Sequence, residues 1–364
     1  MAADFLIVGH GLAGALLSWQ LATAGASVVV VRDPDIPAAS AVAPGIVNPL
    51  AGQRLKPCWA IDAHLPLARQ TYQHLEDLSG ERLWHPLRIL RVLRDERQRR
   101  ALEQRCEETQ ARPFVGEWIE PAMLGSGIEA PHGAFLTEGA ARLDVPAALA
   151  AFESLWQDPP SELCGRVGLC TGNVNPRELQ IDTEGVAWRD DVYGTVVFAE
   201  GWQGSHNPFL RELPWRNARG DMLTLRLTGQ PFLPEGLRDC LLNYGHWLLP
   251  SGDGHYRLGA TYAWSRFEAP PDPAAGLTLL AGLRKVVTHA DFTLAERHCG
   301  TRPIVADRFP VLGRLPASPR LAVCNGFASK ATLHAPAMTH ALAENLLRDV
   351  PLPPEVDVRR MLSA

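Results

Sequence analysis

Residues 5 to 31 contain no aspartate, glutamate, lysine or arginine, and within that stretch the glycines fall as Gly9-His10-Gly11-Leu12-Ala13-Gly14. No other feature of the chain restricts its folding as strongly. Phe5-Leu6-Ile7-Val8 in front is a short apolar run suited to a buried parallel strand, and Leu12 to Ala24 behind offers good helix formers. Gly25 is placed to end that helix. Val28 to Val31, all β-branched, return as a second buried strand before Arg32-Asp33-Pro34 stops it. The order is strand, helix, strand. A secretory leader or a membrane span fits less well, because only Asp4 precedes the run where a basic flank is needed, and glycines, His10 and Gln20 interrupt it.

Each glycine of this G-x-G-x-x-G spacing has a task in a dinucleotide site. Gly9 makes the tight turn, Gly11 lets the backbone approach a pyrophosphate, and Gly14 lets the helix pack closely on the sheet. The pyrophosphate then rests on the helix start at Leu12 and Ala13, where free N–H groups and the dipole favour anions. A glycine-rich turn with no nucleotide is the plainer alternative, and the flanking elements weigh against it. The acid that ordinarily ends the second strand and bonds a ribose hydroxyl is displaced, since Arg32 holds that position and Asp33 follows it. A shift of one residue reverses the side-chain direction on a strand. Either Asp33 turns in, or Arg32 takes another part, or both are ordinary turn residues. An arginine there also suits a 2′-phosphate, so the motif alone leaves FAD and NADP both open.

The chain has 364 residues, room for about two domains. Hydrophobic residues make up 46% and charged residues 21%, which excludes a disordered or coiled-coil chain. A net charge of -5 demands neither a nucleic acid nor a membrane surface as partner. The 7 cysteines lack any Cys-x-x-Cys pair and the 12 histidines lack metal-type spacing, so no metal is expected and a reducing cytoplasm fits best. Thr195 to Ala199, followed by Glu200-Gly201, and Leu321 to Cys324, followed by a helix over Leu333 to Leu347, resemble buried strands of the N-terminal sheet. Ala63 to Leu78 and Asp95 to Thr109 have helical patterns. Met222 to Leu227 and Tyr256 to Ala260 alternate as antiparallel strands do. The expected fold is α/β: a Rossmann-like domain assembled from separated segments, with a mixed α+β second domain.

Further motifs occur in a fixed order. They are Ala39-Ser40-Ala41, Pro44 to Pro49, Val196 to Gly201, Arg219-Gly220-Asp221, Trp247 to Pro250 with Gly259-Ala260-Thr261, Gly300 to Pro303 with Asp307 and Pro310 to Gly313, and Gly326 to Pro336. With the fingerprint, this series resembles the D-amino-acid-oxidase-like FAD-dependent oxidoreductases along nearly the whole chain. Within them it is most similar to the oxidase branch of the bifunctional tRNA 5-methylaminomethyl-2-thiouridine biosynthesis proteins, with glycine and sarcosine oxidases as further relatives.

The resemblance implies non-covalently held FAD and a domain division of 1–60, 138–210 and 296–364 for FAD against 61–137 and 211–295 for substrate. An antiparallel sheet of the second domain would roof the flavin. Beside the cofactor it places Ser40, Gly45, Ile46, Val47 and Asn48, and further along Gly201, Gly326, Ser329 and Lys330. It implies that Arg302 clamps a substrate carboxylate, where a structural pair with Asp307 is the alternative. Lys330 would stabilise the reduced flavin, or else face solvent from its loop. Trp247 would wall the substrate pocket, or simply fill a core. Some sarcosine-oxidase relatives tether flavin through a cysteine near Cys299, but a single cysteine at loose spacing favours a buried inert thiol.

The expected reaction is oxidation of a small amino acid or N-substituted amino acid to an imine, with oxygen reoxidising the flavin. A carboxymethylaminomethyl-type modified tRNA base is the second candidate, because residues 82–105 hold 8 arginines against Asp95, Glu96 and Glu103. A flavoprotein without oxidase turnover, either a dehydrogenase or a binding protein, is the alternative of another class.

Overall fold

The computed structural model describes residues 3–36 and 38–362. β1 (Ala3–Val8), α1 (Leu12–Thr23) and β2 (Ser27–Arg32) form the βαβ unit, with β1 parallel to β2 and Phe5 beside Val28. Gly25 follows the end of α1 with a φ of +94°, a turn that a side chain disfavours. Two distant runs complete a parallel core. Asp191–Phe198 lies on the other side of β1, Ser318–Asn325 lies beyond it, and Arg166–Thr171 flanks β2. Val311–Leu315 closes that edge antiparallel to Ser318–Asn325.

The strands of this sheet are apolar on both faces because helices cover them. Leu6, Ile7, Val30, Val196, Val197, Leu321, Ala322 and Val323 are wholly buried. α1 is buried along most of its length, as its continuous apolar sequence requires, and its Ser18 hydroxyl is satisfied by donating to the Gly14 carbonyl at 2.8 Å. The final helix, Ala331–Arg348, packs beside α1.

A second sheet takes the order Phe292–Arg302, Ala218–Leu227, His255–Gly259, Trp247–Pro250, Leu241–Asn243, Trp84–Val92, Ala134–Leu143 and Ile46–Val47, and Val115–Ile119 also pairs with Ala134–Leu143. Its pairings are antiparallel, as expected, except where Leu241–Asn243 meets Trp84–Val92 in parallel. Leu223, Leu225, Leu248 and Leu258 point to one face, where Leu279 and Leu283 of helix Pro273–Arg284 cover them. The alternate residues face the first sheet.

Among the described residues no helix is long and apolar enough to cross a membrane, and no group of acids, histidines and cysteines is placed to hold a metal ion. The cysteines are unpaired.

Candidate active site

A cavity of about 930 Å³ opens between the carboxyl ends of the parallel strands and the inner face of the second sheet. Val8, Val31, Ala199 and Asn325 mark those strand ends. Open α/β sheets bind ligands at this location.

The glycine turn is fixed by crowding. A Cβ on Gly9 would stand 2.4 Å from the Ala199 carbonyl oxygen, and one on Gly14 would stand 2.1 Å from that of Gly9. Gly11 begins α1 without a side-chain cap, and no acid occupies the first turn. The Ser40 hydroxyl lies at this helix start, accepting from the Leu12 N–H at 3.1 Å. Gly11, Leu12, Ala13 and Ser40 line the cavity. Donors, a hydroxyl, a bare glycine and a positive dipole end at one point make a fitting seat for a pyrophosphate.

Arg32, the last residue of β2, and Asp33 after it both reach the wall, and both have partners. Arg32 Nη1 donates to Glu153 Oε1 at 2.8 Å. Asp33 accepts from the Asp35 N–H at 2.9 Å and from Asn173 Nδ2 at 2.6 Å, which makes it a turn-capping residue. Glu153, on helix Val145–Gln157, went unnoticed in the sequence. It brings to this end of the cavity the carboxylate with which β2 does not end. His10 Nδ1 lies 3.5 Å from the same carboxylate, and burial holds its pKa below the usual imidazole range.

Gly45, Ile46, Asn48, Gly201, Ser329 and Lys330 also lie on the wall. Three expected contacts do not. Val47 pairs with Ala141, so strand alternation turns it into the core beside Leu50 and Leu143 while Ile46 faces the cavity. Gly14 is taken up by helix packing. Gly326, with φ +77°, turns the backbone between Asn325 and Phe327, which themselves reach the wall.

The other end of the cavity is cationic and aromatic. Arg302 Nη1 donates to the Thr261 carbonyl at 3.3 Å, and its guanidinium lies 4.3 Å from the Tyr262 ring centroid. Asp307 is not its partner, since Arg360 takes that carboxylate at 2.8 Å. Among the described residues Arg302 pairs with no acid, and burial lowers its pKa from the ordinary guanidinium value. Gly220 makes room for it: a Cβ there would meet Arg302 Nη2 at 2.3 Å. Gly259 gives way similarly to the Trp247 indole, which a Cβ there would meet at 2.5 Å, and Trp247 lines the cavity.

Tyr262 is supplied by a loop that Arg219 ties down. This buried guanidinium forks onto Asp221 at 3.0 and 2.8 Å and donates to the carbonyls of Arg266, Ala269 and Pro270. Lys330 stands at the start of the final helix, close enough to contribute to holding the His334 pKa down to about 3, after burial and the His64 ring. Cys299 points off the wall, its Sγ 3.6 Å from the Ala269 carbonyl oxygen, whereas Gly300 and Thr301 reach it.

The arginine-rich run divides among different environments. Arg88 bonds the Gly236 carbonyl, Arg99 lies over Trp118, Arg105 pairs with Glu108, and Arg91 and Arg94 reach the cavity.

The family model for FAD-dependent oxidoreductases matches residues 4–345. The chain belongs to the FAD-dependent oxidoreductase family. FAD is therefore the dinucleotide of this oxidoreductase, and the choice that Arg32 left open is closed. The oxidoreductase is 27% identical over 367 residues to glycine oxidase of Pseudomonas aeruginosa, covering 94% of each chain. It is 26% identical over 382 residues to the tRNA 5-methylaminomethyl-2-thiouridine biosynthesis bifunctional protein of Thiobacillus denitrificans, covering 97% of this chain and 58% of that protein. The solved glycine oxidase from Geobacillus kaustophilus shares its fold at a TM-score of 0.76 and 19% identity, over 99% of this chain and 97% of the other.

Proposed function

We propose that this oxidoreductase oxidises the C–N bond of a small amino acid or N-substituted amino acid to an imine, with molecular oxygen taking the electrons and leaving as hydrogen peroxide. The observation that carries this reading is Arg302, a half-buried fork of donors on the cavity wall without an acidic partner among the described residues. Such a cation is costly to bury alone, and a planar carboxylate is the anion its geometry fits. The name of the Pseudomonas relative, glycine oxidase, agrees with an amine that bears one.

Bound FAD supplies the hydride acceptor. Gly9, Gly11, the first N–H groups of α1 and Ser40 would hold its pyrophosphate, and Glu153 would accept from its ribose hydroxyls. Arg302 holds the substrate carboxylate, fixing which carbon faces the reacting ring. The Tyr262 ring covers the guanidinium, and Trp247 fills the roof where a bulky side chain would otherwise enter. Lys330 and the dipole at the start of the final helix favour negative charge in front of them. The substrate carbon loses a hydride and its nitrogen a proton, and water then hydrolyses the imine. In the same reading, segments 1–60, 138–210 and 296–364 serve FAD and the remainder serves substrate.

The Thiobacillus relative supports a second substrate, the carboxymethylaminomethyl-type modified tRNA base, whose carboxylate would use the same clamp. Anaerobic mixing of the yellow holoenzyme with a panel of amino acids, N-methyl amino acids and tRNA bearing that base separates the two. Bleaching by a small amine, followed by rapid recovery in air with peroxide release, is the expected result. Bleaching by the tRNA alone moves the substrate to the second reading. Slow recovery in air makes the enzyme a dehydrogenase, and colour that no amine bleaches overturns the oxidation.

A further inference from the structure

Arg219-Gly220-Asp221 stands on Ala218–Leu227, the strand beside the one that carries Arg302, and the pleat sends its alternate side chains to opposite faces. Gly220 lines the cavity and leaves the space that Arg302 fills. Arg219 is 2% exposed, and Asp221 is buried with it on the other face. All five N–H donors of this guanidinium are used. Nε and Nη2 donate to the two Asp221 oxygens at 3.0 and 2.8 Å, Nη1 to the carbonyls of Arg266 and Ala269 at 2.8 and 2.7 Å, and Nη2 also to that of Pro270 at 2.6 Å.

Asp221 gathers the same segment from its two ends. Its Oδ1 accepts from the Asp272 N–H at 2.8 Å, and its own N–H donates to Thr261 Oγ1 at 2.9 Å. Arg219 and Ala263 exchange backbone hydrogen bonds at 2.8 and 2.9 Å. Residues 261–272 form no helix or strand, so this buried pair supplies the order that secondary structure does not. Both contacts of the Arg302 guanidinium come from the start of that strap, the Thr261 carbonyl and the Tyr262 ring. Tyr262 is 58% exposed; the core does not fix its ring, and the tied backbone does.

We infer that Arg219 and Asp221 are positioning residues for the carboxylate clamp: by holding Thr261 and Tyr262 in place they fix the direction of the Arg302 fork, and with it the affinity for a substrate carboxylate. This rests on the clamp role of Arg302. Neither Arg219 nor Asp221 lines the cavity, so their effect on a carboxylate passes through the strap. With the strap released, the Arg302 side chain has to be ordered by the ligand itself, and that ordering is subtracted from binding.

The test titrates the holoenzyme with acetate and reads the flavin absorption band. Arg219→Lys keeps a charge beside Asp221 but has too few donors for the three carbonyls, and Thr261→Val removes the hydroxyl that the Asp221 N–H holds. Arg219→Lys is expected to weaken acetate about tenfold and Thr261→Val about threefold, both with flavin retained. With a carboxylate substrate from the amine panel, the loss is expected in KM and not in kcat. In a Tyr262→Leu background, Arg219→Lys is expected to cost about threefold or less, because the ring it positions is gone. An acetate Kd unchanged in both variants, or equal losses from Arg219→Lys in the two backgrounds, overturns the positioning role and leaves the clamp standing. Thr261→Val keeps the test open if Arg219→Lys loses its flavin. Acetate that does not bind the wild type, or that binds Arg302→Met equally well, overturns the clamp reading itself.

Discussion

At the scale of single residues, the site depends on which charges are paired and which are left for a ligand. Arg302 has only a carbonyl and a ring for company, so replacing it removes substrate binding without opening the fold. Arg302→Met is expected to raise KM for carboxylate substrates by roughly a hundredfold while FAD stays bound, as loss of a buried charged contact does. Steady-state kinetics with a flavin-content measurement checks this, and unchanged KM refutes the clamp. Glu153 shares its Oε1 with Arg32 at 2.8 Å and lines the cavity end. Glu153→Gln is expected to weaken FAD about tenfold, the effect of losing one charge-assisted hydrogen bond. Fluorescence titration of the apoprotein with FAD reads this directly, and an unaltered Kd removes Glu153 from the cofactor site. Arg302 and Lys330 were legible because they sit in short ordered motifs. Glu153 was not, since only the folded chain places it beside Arg32, 121 residues away in sequence.

At the scale of elements, the legible parts were those that local physics decides. The valine run, the glycine turn and the apolar α1 carry their own periodicity, and the buried runs at Thr195 and Leu321 joined β1 as their composition implied. Short strands such as Ile46–Val47 carry too little pattern to show which residue faces the cavity, so the resemblance placed both beside the cofactor although Val47 turns into the core. The contact between helix Ile61–Ser79 and the final helix was equally hidden. There His64 Nδ1 meets His334 Nδ1 at 2.9 Å in a buried setting, with the Trp59 ring beside both. One ring must donate and the other accept, so the two cannot both be protonated, and burial holds both pKa values below the usual imidazole range. His334 is held down from 6.5 to about 3, first by burial, then by His64 and Lys330. Between those values the unfolded chain binds a proton that the native chain refuses, so stability present above 6.5 is lost as pH falls. One unit below 6.5, this single site costs about 1.4 kcal/mol. Urea midpoints at neutral pH and one unit below 6.5 are expected to show that loss in the wild type and a loss smaller by that amount in His334→Gln. Parallel losses in the two proteins refute a neutral buried imidazole.

At the scale of the whole molecule, the cavity joins the two sheets. Its floor is the strand ends and glycine turn of the first, and its roof is the face of the second that carries Met222, Trp247 and Arg302. A ligand that fills it touches both sheets, so its binding free energy is shared between them. At a hundredfold excess over Kd, FAD is expected to add about 2.7 kcal/mol to the stability of the fold. The distribution of that gain is the stronger test. Hydrogen exchange on the apoprotein and holoenzyme is expected to slow in β1, Asp191–Phe198 and Ser318–Asn325, and also in Ala218–Leu227 and Trp247–Pro250. Protection confined to the parallel strands would mean that the second sheet does not close over the flavin. Arg302 and Trp247 would then stand away from the reacting ring, and the clamp and the roof would have to be sought on other residues.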